Sequence, residues 1–164
     1  MTSVPGGRHS ERVTLRAARA DDEAFVVGLV PRFVEHGAAD GHTPQTVIEG
    51  TSRVLRDALR APQPGEIVLI AQDARGERAG FVYAVTHRDF FTGEPYAHVS
   101  EIAVANSGAG TGAALMDAIE TWSRERGDRM VSLNVVDENA PAQRFYERRG
   151  YTLGHHHYVK RLRP

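Results

Sequence analysis

The chain has 164 residues and a formal net charge of −1; 41% of its residues are hydrophobic, 25% are charged and none is cysteine. That size and balance suit one globular core, and the missing cysteines exclude disulfides, thiolate nucleophiles and cysteine zinc sites. Charges of both signs are interspersed and no apolar run approaches the roughly 18 residues of a bilayer span, so neither nucleic acid nor membrane is an expected partner.

The start, MTSVPGGRHSER, has no apolar stretch of the secretory kind, so a cytoplasmic location is expected. Residues 1–11 read as a flexible leader and residues 12–164 as one domain. Val13–Arg16 is a short first strand. Asp21, Asp22 and Glu23 then supply the negative charge that a helix N-terminus favours. Phe25, Leu29 and Phe33 follow at helical spacing, with Pro31 set to kink or split that helix. Thr43-Pro44 is an N-cap followed by proline in the first turn. A stripe of period 3.6 then runs from Val47 to Leu59 and stops at Pro62.

The period next changes to two. Ile67–Ile70 and Gly80–Val85 read as strands joined by a polar turn at Asp73–Glu77, and Tyr96–Val104 and Val131–Val136 as two more. Between these last two lies the glycine-dense turn Gly108-Ala109-Gly110-Thr111-Gly112, opening into a helix from Ala113 to about Arg126. A helix from Ala140 to Arg149 ends at Gly150, and Thr152-Leu153 and His157–Leu162 close the chain as strands. The expectation is an α/β fold: a mixed, mostly antiparallel sheet of six to seven strands flanked by four helices.

The glycine turn aims backbone N–H groups and the positive end of a helix dipole at one point, where a phosphate or diphosphate fits. A P-loop is excluded because Ala113-Ala114 stands where the motif needs Lys. A dinucleotide fold fits poorly, since three strands come first and Asp137 lies past the end of the next strand. An ordinary glycine-rich connection between strand and helix remains the plain alternative.

The second half of the chain narrows the choice. Gly110-Thr111-Gly112 matches the glycines of a Q/R-x-x-G-x-G/A turn. Asn139, Ala142, Phe145, Tyr146, Gly150 and Tyr151 match N-x-x-A-x-x-F-Y-x-x-x-G-F/Y. With these two motifs in order, residues 13–162 resemble the GNAT superfamily of N-acetyltransferases, most strongly from Val99 onward. The chain departs from the pattern at Ser107, where arginine or glutamine is usual, and its loop is about two residues shorter.

The resemblance implies acetyl-CoA as donor substrate, no metal, and a primary amine of a small molecule or peptide as acceptor, attacked directly. It implies that Ile102, Ala103 and Val104 pair with pantetheine through their backbone. Ser107, Gly108, Ala109, Gly110, Thr111, Gly112 and Ala113 would cradle the phosphates, and Asn139 would contact CoA or simply cap its helix. Tyr146 would also border CoA and protonate the departing thiolate, since phenol and alkyl thiol titrate within reach of one another. Glu101, a carboxylate inside an apolar strand, is the candidate base, with His98 and His87 behind it. Strand alternation groups Val99, Glu101 and Ala103 on one face. His155-His156-His157 reads as an exposed strand, because adjacent residues of a strand point to opposite faces and no acidic residue completes a metal site. Phe33–Gln45, with Glu35, His36, Asp40 and His42, and Gly154–Tyr158 would shape the acceptor cleft. A catalytically inactive acyl-CoA-binding regulator and a nucleotide-binding module are the alternative functions. The acceptor's identity and a homodimer through the C-terminal strands stay open.

Overall fold

The computed structural model describes residues 13–38, 41–155, 157–160 and 162; the leader at 1–11, Asp40 and His156 fall outside the described residues. Strand β1, Thr14–Ala17, leads through a 3-10 turn at Ala20–Asp22 into helix α1, Glu23–Gly28. Pro31 cannot donate to the helix ladder, and the chain tightens into a second 3-10 turn at Val30–Val34. Helix α2, Pro44–Arg60, starts where expected: the Thr43 hydroxyl accepts from the Thr46 N–H at 3.1 Å. Strands β2 (Glu66–Gln72), β3 (Arg78–Arg88) and β4 (Pro95–Val104) follow, then helix α3 (Thr111–Glu125), strand β5 (Val131–Leu133) and helix α4 (Ala140–Arg148).

The strands lie in the order β1-β2-β3-β4-β5, antiparallel throughout except for the parallel pair β4–β5. Helices α1 and α2 cover one face, where Val26, Val30 and Leu55 pack on Val68, Ile70, Phe81, Tyr83 and Ala103. Helices α3 and α4 cover the other, where Leu115, Met116, Ile119 and Tyr146 pack on Ala71, Val82, Ala84 and Val99.

The sheet is smaller than the six to seven strands expected. Strand β5 stops at Leu133 rather than Val136, and none of the described residues from Tyr151 to Leu162 is in a strand. Strand preference expresses the fit to a neighbouring strand, and this segment has little: Leu153, Tyr158 and Leu162 are 76%, 89% and 82% exposed. Helix α3 begins two residues early, because Gly110, at φ +78°, already stands at its N-cap.

A bulge overturns the expected alternation in β4. Tyr83 pairs with Glu101 and Ala84 with Val99, so Ser100 is the extra residue. Val99 therefore packs under α3, whereas Ala103 packs toward α1 and α2. Glu101, opposite Tyr83, shares the face of Ala103 and not that of Val99.

An ion cluster ties the first turn of the chain to the sheet. The Asp22 carboxylate, fully buried, accepts two hydrogen bonds from the Arg16 guanidinium at 2.7 and 2.8 Å, one from Arg78 Nε at 2.6 Å and one from the Arg19 N–H at 2.8 Å. The Arg16 hydrogen bonds foremost, with help from Arg78 and Arg19, hold its carboxyl far below the usual carboxylate range despite burial.

Candidate active site

Strands β4 and β5 part. Their ladder joins Ala97, His98 and Val99 to Val131, Ser132 and Leu133 and goes no further, while β4 continues for five more residues to Val104. The edge of Ser100–Val104 that would face a longer β5 is therefore without a partner strand among the described residues. A chain bearing amide groups can add there as a strand would, and the backbone of Ile102, Ala103 and Val104 lines the opening.

The glycine turn lies directly beyond this edge. Gly108 and Gly110 adopt φ +90° and +78°, which only glycine enters at little cost. The first amide of α3 to find a helical partner is that of Ala114, which donates to the Gly110 carbonyl at 3.0 Å. Among the described residues, the N–H groups of Ser107, Gly108, Ala109, Gly110, Thr111, Gly112 and Ala113 donate to nothing. They form a set of free donors at the positive end of a fifteen-residue helix. Ser107 is exposed and adds at most a hydroxyl.

Contacts that no motif announced hold this turn. The Arg32 guanidinium, on the 3-10 turn after α1, donates to the Val104 carbonyl and, at 2.9 Å, to that of Ala105. A Cβ on Gly80 would stand 2.8 Å from the Ala103 carbonyl oxygen and 3.1 Å from Thr111 Cγ2. A lone glycine inside a strand was the available signal for that close approach. Gly80→Ala should therefore push α3 off the end of β4, costing about 1–3 kcal/mol. Thermal denaturation should show a loss of about 2–4 °C per kcal/mol.

Gly112 brings the two motifs together, since a Cβ there would meet Phe145 Cζ at 3.7 Å and Val104 Cγ1 at 3.9 Å. Asn139 caps α4, its side-chain oxygen accepting from the Ala142 N–H at 3.2 Å. Tyr146, 9% exposed, sits between the rings of Phe145 and Tyr151 at 5.1 and 5.7 Å. Arg149 anchors that end of α4 to α3 through Asp117 at 2.6 Å and Glu120 at 2.8 Å, and the Tyr151 hydroxyl donates to Glu120 at 3.2 Å. The Tyr146 hydroxyl has no hydrogen-bond partner among the described residues, yet it is not sealed from solvent. Burial pushes its pKa up to about 12, so it carries its proton at neutral pH.

Glu101 is half-buried and forms no hydrogen bond or ion pair among the described residues. Burial raises its carboxyl to about 7. The opposing Tyr83 hydroxyl donates instead to Glu66, at 3.1 Å. Glu101 and Tyr146 thus belong to opposite faces of the sheet, one on the α1/α2 side and one on the α3/α4 side. On Glu101's face, His98 bonds through Nδ1 to Ser132 Oγ at 2.8 Å and meets the His87 ring edge-on at 5.1 Å.

The stretch expected to shape one side of an acceptor cleft runs beside the loop before α4, where a Cβ on Gly37 would meet Glu138 Oε2 at 3.8 Å. Phe33 packs edge-on against Phe81 at 6.3 Å, Glu35 pairs with Arg32 at 3.5 Å, and His36 and His42 are exposed. Gly154, His155, His157 and Tyr158 are exposed. No group of three His, Cys, Asp or Glu side chains among the described residues is placed to hold a metal ion, and no described helix is long and apolar enough to cross a membrane.

The family model of the GNAT acetyltransferases matches residues 34–151. No curated protein matches the sequence. Among solved structures, a presumptive acetyl transferase from Pyrococcus furiosus superposes with a TM-score of 0.70 at 23% identity, covering 92% of this chain and 100% of that one. A ribosomal-protein-alanine N-acetyltransferase from Brucella melitensis gives 0.68 at 19% identity over 92% and 100%. An aminoglycoside N-acetyltransferase in complex with CoA gives 0.67 at 18% identity over 99% and 100%. At such identities the likeness is one of fold.

Proposed function

This chain belongs to the GNAT acetyltransferase family, and from that premise we propose that it transfers an acetyl group from acetyl-CoA to a primary amine by direct attack. The observation that carries this reading is the conjunction of the open β4 edge at Ser100–Val104 with the free amides of Ser107–Ala113. Pantetheine amides pair with the first, and the diphosphate sits on the second. A backbone N–H near Val104 supports the oxyanion that develops on the acetyl carbonyl, an effect typically worth about 2.7–4 kcal/mol. Glu101 takes a proton from the ammonium to free its lone pair. The amine nitrogen then bonds to the acetyl carbon, and the C–S bond breaks as the Tyr146 hydroxyl gives its proton to the departing sulfur. The proton that the new amide nitrogen must shed is taken up through solvent by the tyrosinate, restoring the phenol.

Titration calorimetry with CoA and with acetyl-CoA tests the binding half, and absence of heat with both refutes it. Release of free thiol tests the chemical half, measured against an aminoglycoside, a peptide with N-terminal alanine and a polyamine. The first two acceptors are chosen from the substrates named for the structural neighbours. Binding without turnover on any amine favours an acyl-CoA-binding regulator, a reading that Ser107 supports by standing where the family motif has arginine or glutamine. Tyr146→Phe should lower kcat at least about tenfold with little change in the KM for acetyl-CoA. An unchanged kcat removes Tyr146 from the reaction.

A further inference from the structure

The open edge of β4 changes character at Val104. The Ala105 N–H donates to the Ala79 carbonyl at 2.8 Å, so Val104, opposite Gly80, belongs to the alternate pair whose N–H and C=O turn away from β3. Ile102, opposite Val82, does the same. Both residues therefore aim a donor and an acceptor into the gap left by the short β5. At Ile102 both groups stand ready for an amide. At Val104 the acceptor is already taken, because Arg32 Nη1 donates to that carbonyl and, at 2.9 Å, to the carbonyl of Ala105. From Val104 onward donors accumulate: its own N–H, the guanidinium, and then the free N–H groups of Ser107–Ala113. An edge that is mixed at one end and donor-rich at the other suits a ligand with an amide followed by an anion.

The chain carries no basic residue from Val99 to Ser123, so neither the glycine turn nor α3 before Arg124 brings a cation of its own. The helix macrodipole supplies only about half a charge against the phosphates. Arg32 is placed to supply the rest. Its Nε lies 3.5 Å from the half-exposed Glu35, its Nη1 holds the two carbonyls, and its Nη2 donates to nothing among the described residues. Ala105 is two residues before Ser107, so no more than about 7 Å of chain separates the carbonyl that Arg32 holds from the first free N–H. Resting on the acetyl-CoA reading above, we propose that Arg32 is a cofactor-binding residue whose Nη2 donates to the diphosphate on the glycine turn. It stands in for the side chain that the motif has where this chain has Ser107. The bonds from Nη1 fix the planar guanidinium before the cofactor arrives, so little side-chain freedom is lost on binding. They also occupy two carbonyl oxygens whose negative ends would otherwise border the phosphates.

Calorimetric titration with CoA at low and at high salt, on wild type, Arg32→Gln and the double variant Arg32→Gln/Ser107→Arg, tests this. Arg32→Gln should weaken CoA about tenfold at low salt, the loss expected for one charge-assisted hydrogen bond. Its remaining affinity should fall less with added salt than that of the wild type. Ser107→Arg should recover most of the loss by returning a cation beside the phosphates. Wild-type affinity in Arg32→Gln overturns the proposal. So does a loss that Ser107→Arg does not recover, or one whose salt dependence matches the wild type's, since a guanidinium that only braces the end of β4 would act in that way. Should Arg32→Gln fail to fold, Glu35→Gln decides, because Glu35 competes for the same guanidinium from a half-exposed position. CoA should then bind about threefold tighter at low salt, and an unaltered affinity overturns the proposal. Wild-type protein that gives no heat with CoA sinks the acetyl-CoA reading and the role of Arg32 together. Wild-type binding with an indifferent Arg32→Gln sinks only the latter.

Discussion

Glu101→Gln is expected to cut kcat about a hundredfold while making the protein more stable above pH 7. The first effect follows from the base role proposed for Glu101, since removal of a general base typically costs about two to four orders of magnitude. The wild-type carboxyl, raised to about 7 by burial, is half-ionised near neutrality, so kcat should climb as pH rises through 7 and level off above it. The variant should lose that limb.

The second effect has the opposite sign. Below about pH 4.5 the carboxyl is protonated in folded and unfolded chains alike and costs nothing. Between about 4.5 and 7 the unfolded chain is ionised while the folded chain keeps its proton, so folding stability falls as pH rises. Above 7 the penalty is constant, on the order of 3 kcal/mol. Glutamine cannot ionise and escapes it. Thermal melts at pH 5 and pH 8 check this: the variant should gain at pH 8, about 2–4 °C per kcal/mol recovered, and little at pH 5. A residue whose removal slows the reaction and stabilises the fold is held there by function. Equal melting temperatures at pH 8 would show that the carboxylate is already solvated.

Asp22→Asn should destabilise the protein by about 3 kcal/mol. It leaves the Arg16 and Arg78 guanidinium groups facing a neutral amide in place of a fully buried carboxylate. Those arginines are 24% and 37% exposed, so water recovers part of their charge and the cost lies at the low end for a broken buried pair. The folded-state pKa of Asp22 lies below the unfolded one, so its contribution is complete above about pH 4 and is withdrawn as pH falls further. Denaturant melts should show wild type and variant about 3 kcal/mol apart at pH 7 and converging in acid. CoA binding at saturating protein stability should be unchanged, because this cluster sits at the β1–α1 corner and contributes no donor to the glycine turn.

Much of the local structure around the helix ends and the glycine turn was legible in the order of residues. Thr43-Pro44 and Asn139 announce helix starts, Gly150 announces a helix end, and Gly108 and Gly110 take the left-handed backbone that their turn requires. These are local matters, settled by one residue's conformational freedom or by a hydrogen bond three residues away. The split of the first helical segment at Pro31 belongs with them.

The β4 face pattern was not legible, because alternation counts every residue and a bulge removes one from the count without a sequence mark. That single extra residue, Ser100, moves Glu101 away from Val99 and alongside His98 and Tyr83. Nor could the chain announce Arg32, whose reach to the Val104 and Ala105 carbonyls spans more than seventy residues. The closing strands failed for a related reason: Thr152-Leu153 and His157–Leu162 have strand-like composition, but a strand exists only against a partner edge.

The order of residues by itself therefore determined, to within about two residues, where the helices start and stop and where the glycine turn lies, because capping, proline and left-handed glycine act within a few bonds of one another. Only the tertiary structure decided which face each β4 side chain takes, how far β5 accompanies β4, and what surrounds Glu101. Pairing register and burial come from segments distant in the chain, and the chemistry of a carboxylate depends on which of those segments shuts out water.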